Sequence, residues 1–175
     1  DEDGSMPNFE SATREGTIPT VISGKFSAQL AYVVNQIKSA VDLDSESVAF
    51  LHPKGYGWFK IVRQVLASER LAYVELSAQE DWPEGSANIA LSTLHSAKGL
   101  EFDHVYIIGL DAETTSMGKD DVTEVNDDER LDNLRRLVAM GVGRARKTVV
   151  IGYRPDATPA VAAFFDPATC KTINV

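Results

Sequence analysis

Apolar positions follow two patterns along the chain, short continuous runs and stretches with helical spacing. Continuous apolar runs bounded by turn residues are typical of buried strands, whereas apolar positions at i, i+3, i+4 and i+7 indicate amphipathic helices. The runs predict strands over residues 18–24, 47–52, 71–76, 88–94, 103–110 and 148–153. Helical spacing predicts helices over residues 27–41, 56–68 and 127–145, and a short helix is expected within residues 158–165.

The alternation of strands and helices determines the fold class. Strands that are apolar on both faces belong to a parallel sheet covered by helices on each side. We therefore expect a three-layer α/β domain over residues 18–175, preceded by an extended arm over residues 1–17. In such sheets ligands bind at the carboxyl ends of the strands. That rule directs attention to the segment from Ser92 to Glu101 and to the segment before the last strand.

The helical patterns also predict which side chains face the interior. We expect Ser27 to cap the first helix, because a serine hydroxyl can accept a hydrogen bond from an unpaired amide of the first turn. The inward positions of the other two long helices are predicted to be Trp58, Ile61, Val62, Val65 and Leu66, and then Leu131, Leu134, Leu137, Val138 and Val142. For Trp58, core packing is favoured over stacking on a nucleic-acid base.

The charge of the chain limits its partners. A net charge of −9 argues against strong binding to nucleic acid, which usually requires a basic surface. Many acidic residues lie in the first fifteen residues and between Asp111 and Asp132, however, so another surface could still be neutral or basic. The acidic loop over residues 111–126 is expected to oppose DNA. The single cysteine, Cys170, excludes an intrachain disulfide, and we expect a cytoplasmic protein without membrane association.

The densest polar segment lies between two predicted strands. It contains the hydroxyls of Ser92 and Thr93, and it continues through His95, Lys98, Gly99 and Glu101. A lysine supplies a point charge for phosphate, and a glycine permits close approach of a ligand to the backbone. A polar helix cap or a tight loop beside the sheet is an equally acceptable interpretation of the spacing alone.

The run Thr93-x-His95-x-Ala97-Lys98-Gly99-Leu100-Glu101-Phe102 resembles motif V of the UvrD/Rep-like superfamily 1 DNA helicases. The resemblance implies that Ser92, Thr93 and His95 contact single-stranded DNA. It also implies that Lys98 and Gly99 lie near the phosphates of a nucleotide, and that Glu101 accepts a hydrogen bond from the ribose.

A second segment, residues 134–146, contains four arginines and resembles motif VI of the same family. The resemblance implies that Arg144 is the arginine finger. Ala139 stands where the family usually has tyrosine, and Gly143 stands where it usually has threonine. For Arg146 and Lys147 we favour the ordinary interpretation, that cations stabilise the C-terminus of a helix.

The sequence contains no G-x-x-x-x-G-K-[S/T] loop to hold nucleotide phosphates. The resemblance therefore implies that the chain is the second RecA-like lobe of a longer polypeptide and is inactive alone. An N-terminal RecA-like lobe would then hold most of the ATP and Mg²⁺. The connection at residues 77–87 is short, so the helical subdomain that many relatives insert before motif V is not expected.

Three functions remain open at this point. The first is a lobe of an ATP-dependent DNA helicase or translocase. The second is a nucleotide-gated interaction or remodelling module of the same ancestry that does not separate strands. Ala139, Gly143 and the net charge of −9 motivate this alternative. A third is an RNA-directed superfamily 1 enzyme, against which the run Ala97–Phe102 argues.

Overall fold

The computed structural model describes residues 18–76, 87–110, 127–155 and 159–175. The strands are β1 (Thr20–Ser23), β2 (Val48–His52), β3 (Val74–Leu76), β4 (Ile89–Thr93), β5 (Phe102–Leu110), β6 (Ala145–Tyr153) and β7 (Lys171–Asn174). The helices are α1 (Phe26–Ala40), α2 (Tyr56–Ser68) and α3 (Asp127–Val142), followed by a 3₁₀ helix (Pro159–Phe164). The expected arm over residues 1–17 and the acidic loop over residues 111–126 lie outside the described ranges.

All seven strands form one sheet in the order β3-β4-β2-β5-β6-β1-β7. Every pairing between them is parallel, which confirms the predicted sheet. Because the sheet is parallel, all strands begin at one edge, called here the amino edge, and end at the opposite carboxyl edge. β7 was not predicted, because its short sequence Lys171–Asn174 has one partly buried apolar side chain and otherwise exposed residues.

The two faces of the sheet carry two separate apolar cores, which confirms the three-layer arrangement. In β2, Val48 and Phe50 point to one core, while Ala49 and Leu51 point to the other. This alternation follows from the two-residue period of a strand. α1 and α2 cover the core that contains Phe50, and α3 and the 3₁₀ helix cover the core that contains Leu51.

Three details of the predicted helices are wrong. Ser27 does not cap α1, because the helix begins one residue earlier and Lys25 occupies the capping position without a side-chain hydrogen bond. Ile61 is 43% exposed rather than inward. α3 ends at Val142, and Ala145 already belongs to β6. The remaining predicted inward residues of α2 and α3 are buried or partly buried and pack against the two cores.

None of the helices in the described ranges is long and apolar enough to cross a lipid bilayer.

Candidate functional site

The polar segment between β4 and β5 crosses the domain from one edge to the other. Thr93 pairs with His52 at the carboxyl end of β2, whereas His104 pairs with Val48 at the amino end of the same strand. At about 3.3 Å per residue, the end of β4 and the start of β5 lie roughly 20 Å apart along the strands. Residues 94–101, called here the crossing segment, span this distance.

Backbone turns and two buried side chains hold the crossing segment in place. The amides of Ala97 and Leu100 donate to the carbonyls of Thr93 and Ala97, at 3.2 and 3.1 Å. Leu94 and Ala97 are each only 1% exposed and join the core beneath α3. Gly141 of α3 lies directly against Leu94, since a Cβ at this glycine would be 2.5 Å from a Leu94 methyl group. The segments that resemble motifs V and VI are therefore packed against each other.

The three residues expected to contact DNA differ in exposure. Ser92 is fully buried, and its hydroxyl donates to the Thr93 carbonyl at 2.8 Å. It therefore offers no surface to a ligand in this structure. Thr93 is partly buried, and its Oγ1 accepts a 3.1 Å hydrogen bond from the Ser96 amide, which caps the first turn of the crossing segment. His95 is exposed beside it.

The three residues expected at the nucleotide lie further along the crossing segment, and all are exposed. Gly99 has a φ of +87°, a conformation that favours glycine, and a Cβ there would meet nothing within 4 Å. The positive φ, rather than a close neighbouring atom within the domain, therefore explains why a glycine is suited to this position. Glu101 is the last residue before β5 and lies at the amino edge. Its carboxylate Oε2 is 3.1 Å from Nε of Arg146.

Arg144 also lies at the amino edge, because it immediately precedes β6. The rule that ligands bind at carboxyl ends is therefore a wrong guide to its position. The Phe102 amide donates to the Arg144 carbonyl at 2.8 Å, which aligns the residue before β6 with the start of β5. The Nε atom of Arg144 is buried and has no hydrogen-bond partner among the described residues.

The structure thus brings together Glu101 and Arg144, and it separates both from Thr93 and His95. The first pair lies at the amino edge and the second lies at the carboxyl end of β4. One continuous crossing segment joins the two places, and it rests on Gly141 of the helix that leads to Arg144. The two places are therefore connected by a continuous run of packed residues.

The prediction that Arg146 and Lys147 stabilise the C-terminus of a helix is wrong, because both residues lie on β6. Lys147 instead binds the carboxylate of Glu46 at 2.6 Å. The same Glu46 oxygen is 3.0 Å from Nε2 of His104, whose Nδ1 is 2.6 Å from the Thr148 hydroxyl. The Lys147 hydrogen bond and one from the Asp42 amide lower the pKa of Glu46 to about 2. Sequence reasoning missed this cluster, because its members are far apart in the chain.

Trp58 belongs to the core, as predicted. It is 7% exposed, and its indole Nε1 donates to the Ile108 carbonyl at 2.9 Å. It also stacks on His52, whose Nδ1 accepts from the Gly55 amide at 2.8 Å. Within the ranges that the structure describes, no three His, Cys, Asp or Glu side chains are grouped so that they could hold a metal ion.

Comparison with known proteins decides the family. The model of the UvrD-like helicase C-terminal domain matches residues 28–155, which is well over half of the chain. The chain belongs to this family. The resemblance stated from motifs V and VI is therefore confirmed, and both motifs fall within the matched residues.

Individual relatives agree with this assignment. The chain is 36% identical over 76 residues to the ATP-dependent DNA helicase PcrA of Leuconostoc citreum, a match that covers 43% of this chain and 10% of that protein. It is 30% identical over 89 residues to the ATP-dependent DNA helicase UvrD2 of Mycobacterium tuberculosis, a match that covers 51% of this chain and 13% of that protein. The matched segment thus spans about a tenth of the length of these relatives.

A solved structure supports the fold over nearly the whole chain. The C-terminal domain of a possible DNA helicase from Lactobacillus plantarum WCFS1 superposes with a TM-score of 0.66 at 19% identity. The superposition covers 94% of this chain and 91% of that one. The RecA-like helicase-lobe fold expected from the resemblance is confirmed.

Proposed function

We propose that this UvrD-like domain is the C-terminal lobe of an ATP-dependent DNA helicase or translocase. In this proposal Arg144 is the arginine finger, and Lys98, Gly99 and Glu101 contact the nucleotide. Thr93 and His95 contact single-stranded DNA. Ser92 supports that contact from the interior, because its buried hydroxyl bonds the Thr93 carbonyl.

The observation that carries the proposal is the course of the crossing segment. One end carries Thr93 and His95, and the other end, at the amino edge, carries Glu101 beside Arg144. A motor must link a change at the nucleotide to a movement of the DNA strand. A single segment of eight residues, packed on the helix that leads to Arg144, is a direct physical connection for this purpose.

The chemistry required of this lobe is positioning and charge stabilisation. Phosphoryl transfer to water needs little covalent participation by the protein. The Arg144 guanidinium is permanently charged and forked, so it suits the oxygens of a departing phosphoryl group. Its buried Nε has no partner among the described residues, which is compatible with a guanidinium that completes its interactions when a nucleotide is held by a neighbouring lobe.

The nucleotide phosphates and Mg²⁺ would be held mainly by an N-terminal RecA-like lobe of the same polypeptide. The C-terminal lobe, which is the present chain, would contribute Lys98 to the phosphates and Glu101 to the ribose. Closing and opening of the two lobes would then move the crossing segment relative to the DNA strand. Each turnover would shift the protein along that strand.

Two variants of the intact protein test the division of roles. His95→Ala should weaken single-stranded DNA binding and DNA stimulation of the ATPase, while the KM for ATP stays near the parental value. Glu101→Gln should raise the KM for ATP, while the affinity for DNA in the absence of nucleotide stays unchanged. If each variant weakens DNA binding and ATP binding to the same extent, the assignment of DNA to one end of the crossing segment and of the nucleotide to the other end is wrong.

A second candidate is a nucleotide-gated interaction or remodelling module without strand separation. Gly143 favours it, because this exposed glycine precedes Arg144 and leaves the backbone before the finger less constrained. Both candidates predict ATPase activity of the intact protein. Unwinding of a tailed duplex distinguishes them, since only the helicase produces separated strands.

A further inference from the structure

Arg146 lies two residues beyond Arg144, and its side chain reaches back to the start of β5. Its Nε is 3.1 Å from Oε2 of Glu101, and the two side chains are 50% and 42% exposed. The pair joins the residue proposed for the ribose to the strand that follows the proposed finger. Since 45 residues separate the partners, only the fold brings them together.

A bulge in β6 sets the direction of the Arg146 side chain. The pairing of β5 with β6 advances from Phe102↔Ala145 to His104↔Thr148. Two steps along β5 thus match three steps along β6, so β6 carries one extra residue at Arg146–Lys147. Bulges of this kind redirect side chains and often occur next to functional sites. The two neighbouring cations consequently reach two different carboxylates, those of Glu101 and Glu46.

We propose that Arg146 is a positioning residue that holds the Glu101 carboxylate in the orientation that accepts a ribose hydroxyl, and so sets the selectivity for nucleotides that carry this hydroxyl. This inference rests on the proposed function, in which Glu101 contacts the sugar. A carboxylate has about four acceptor positions, so Glu101 can accept hydrogen bonds from a guanidinium and from a sugar hydroxyl at the same time. Fixing the side chain beforehand lowers the entropy lost when the nucleotide binds.

The expected effect is modest, because an exposed ion pair contributes little. Loss of an ion pair of this exposure changes an equilibrium constant only a few-fold. Arg146→Ala should therefore raise the KM for ATP about two- to fivefold. The kcat should stay nearly unchanged, since Arg146 is not placed at the phosphates. Arg146→Lys should recover part of the loss, because it restores the charge but not the forked geometry.

The test uses the intact protein with saturating single-stranded DNA. The KM and kcat are measured for ATP, 2′-deoxy-ATP and 3′-deoxy-ATP in the parent, Arg146→Ala, Glu101→Gln and the double variant. We expect the parent to discriminate against one of the two deoxy analogues. The KM for that analogue divided by the KM for ATP reports sugar selectivity. Arg63→Ala is the matched control, because Arg63 and Glu75 form an ion pair of similar exposure on α2 and β3.

We expect Arg146→Ala to reduce this selectivity ratio, Arg63→Ala to leave it unchanged, and the double variant to match Glu101→Gln. If Glu101→Gln lowers selectivity but Arg146→Ala does not, the positioning role is wrong and the ribose contact stands. If neither variant changes selectivity, or the parent has none, Glu101 is not a ribose contact, and both proposals for this carboxylate fail.

Discussion

The backbone amide of Phe102 donates a 2.8 Å hydrogen bond to the carbonyl of Arg144, and this bond fixes the start of β5 beside the residue that precedes β6. No side chain takes part in it. This bond therefore requires no side chain at position 143. The replacement of the usual threonine by Gly143 removes a hydroxyl from the turn but leaves this bond in place.

Arg144→Ala should reduce turnover by the intact protein by orders of magnitude. An arginine finger acts mainly on charge that develops in the transition state, and its loss typically costs about 10³–10⁵ in rate. ATP affinity should fall much less than kcat. Arg144→Lys should recover little, because an ammonium group cannot form the forked contact. The measurement is DNA-stimulated ATPase activity, with nucleotide affinity determined separately.

The control for this experiment is Arg63→Ala, an arginine on α2 whose ion pair with Glu75 lies away from Arg144. Arg146→Ala is unsuitable as a control, because Arg146 binds Glu101. Retention of most of the turnover by Arg144→Ala, or an equal loss in Arg63→Ala, would show that the finger has been placed wrongly.

The sequence predicted the layers of the fold well. Strands such as Val48–His52 are continuous apolar runs, and a parallel sheet covered on both faces explains such runs. The stripe of α3 was equally clear, because Leu134, Val138 and Val142 recur at helical spacing and are fully buried. These features are local, and a periodic pattern is enough to detect them.

The positions of the site residues could not be predicted in the same way. We expected Arg144 at the carboxyl edge, but a residue that immediately precedes a strand of a parallel sheet lies where that strand begins, which is the amino edge. The pair Glu101–Arg146 depends on the register of β5 with β6 and on the extra residue in β6. Register is set by packing across distant segments, and no local pattern reports it.

His95→Ala and Thr93→Ala should both weaken single-stranded DNA binding, but only one of them should destabilise the domain. His95 is exposed, whereas Thr93 caps the first turn of the crossing segment through a bond from Ser96. Loss of such a hydrogen bond typically costs about 1 kcal/mol. We therefore expect Thr93→Ala to lower the free energy of unfolding by about that amount and His95→Ala to leave it unchanged.

DNA binding is measured by fluorescence polarisation of labelled single-stranded DNA at several salt concentrations. Stability is measured by urea unfolding. Parental binding should be weak and should fall with salt, since counterion release governs contacts with phosphates. Binding by His95→Ala that equals the parent at every salt concentration would remove this residue from the proposed DNA contact.

The chain of 175 residues should fold alone but should not hydrolyse ATP. It has two apolar cores on the two faces of one sheet, and its sequence offers no loop to cradle the phosphates. Urea unfolding followed by tryptophan fluorescence, which the buried Trp58 makes sensitive to the core, should be cooperative. Steady-state ATP turnover above a control without protein, with contaminating ATPases excluded, would contradict the proposed dependence on a second lobe.

Glu46 should make the folded state sensitive to acid. Hydrogen bonds from Lys147 and from the Asp42 amide lower its pKa from 4.5 to about 2 in the folded protein. A carboxyl group with a depressed pKa in the folded state stabilises that state above its unfolded pKa. This contribution is therefore complete above about pH 4.5 and is lost progressively as the pH falls towards 2.

Replacement of Glu46 by glutamine isolates this effect, because the amide keeps the shape but cannot carry the charge. Glu46→Gln should lower the free energy of unfolding at pH 7 by on the order of 1–3 kcal/mol. It should also flatten the dependence of stability on pH between 4.5 and 2, and urea unfolding at several pH values measures both effects. Glu75→Gln is the matched control, because its pair with Arg63 is exposed and such pairs contribute little. If the parent and Glu46→Gln lose stability in parallel as the pH falls, the cluster of Glu46 with Lys147 and His104 does not stabilise the fold through this charge.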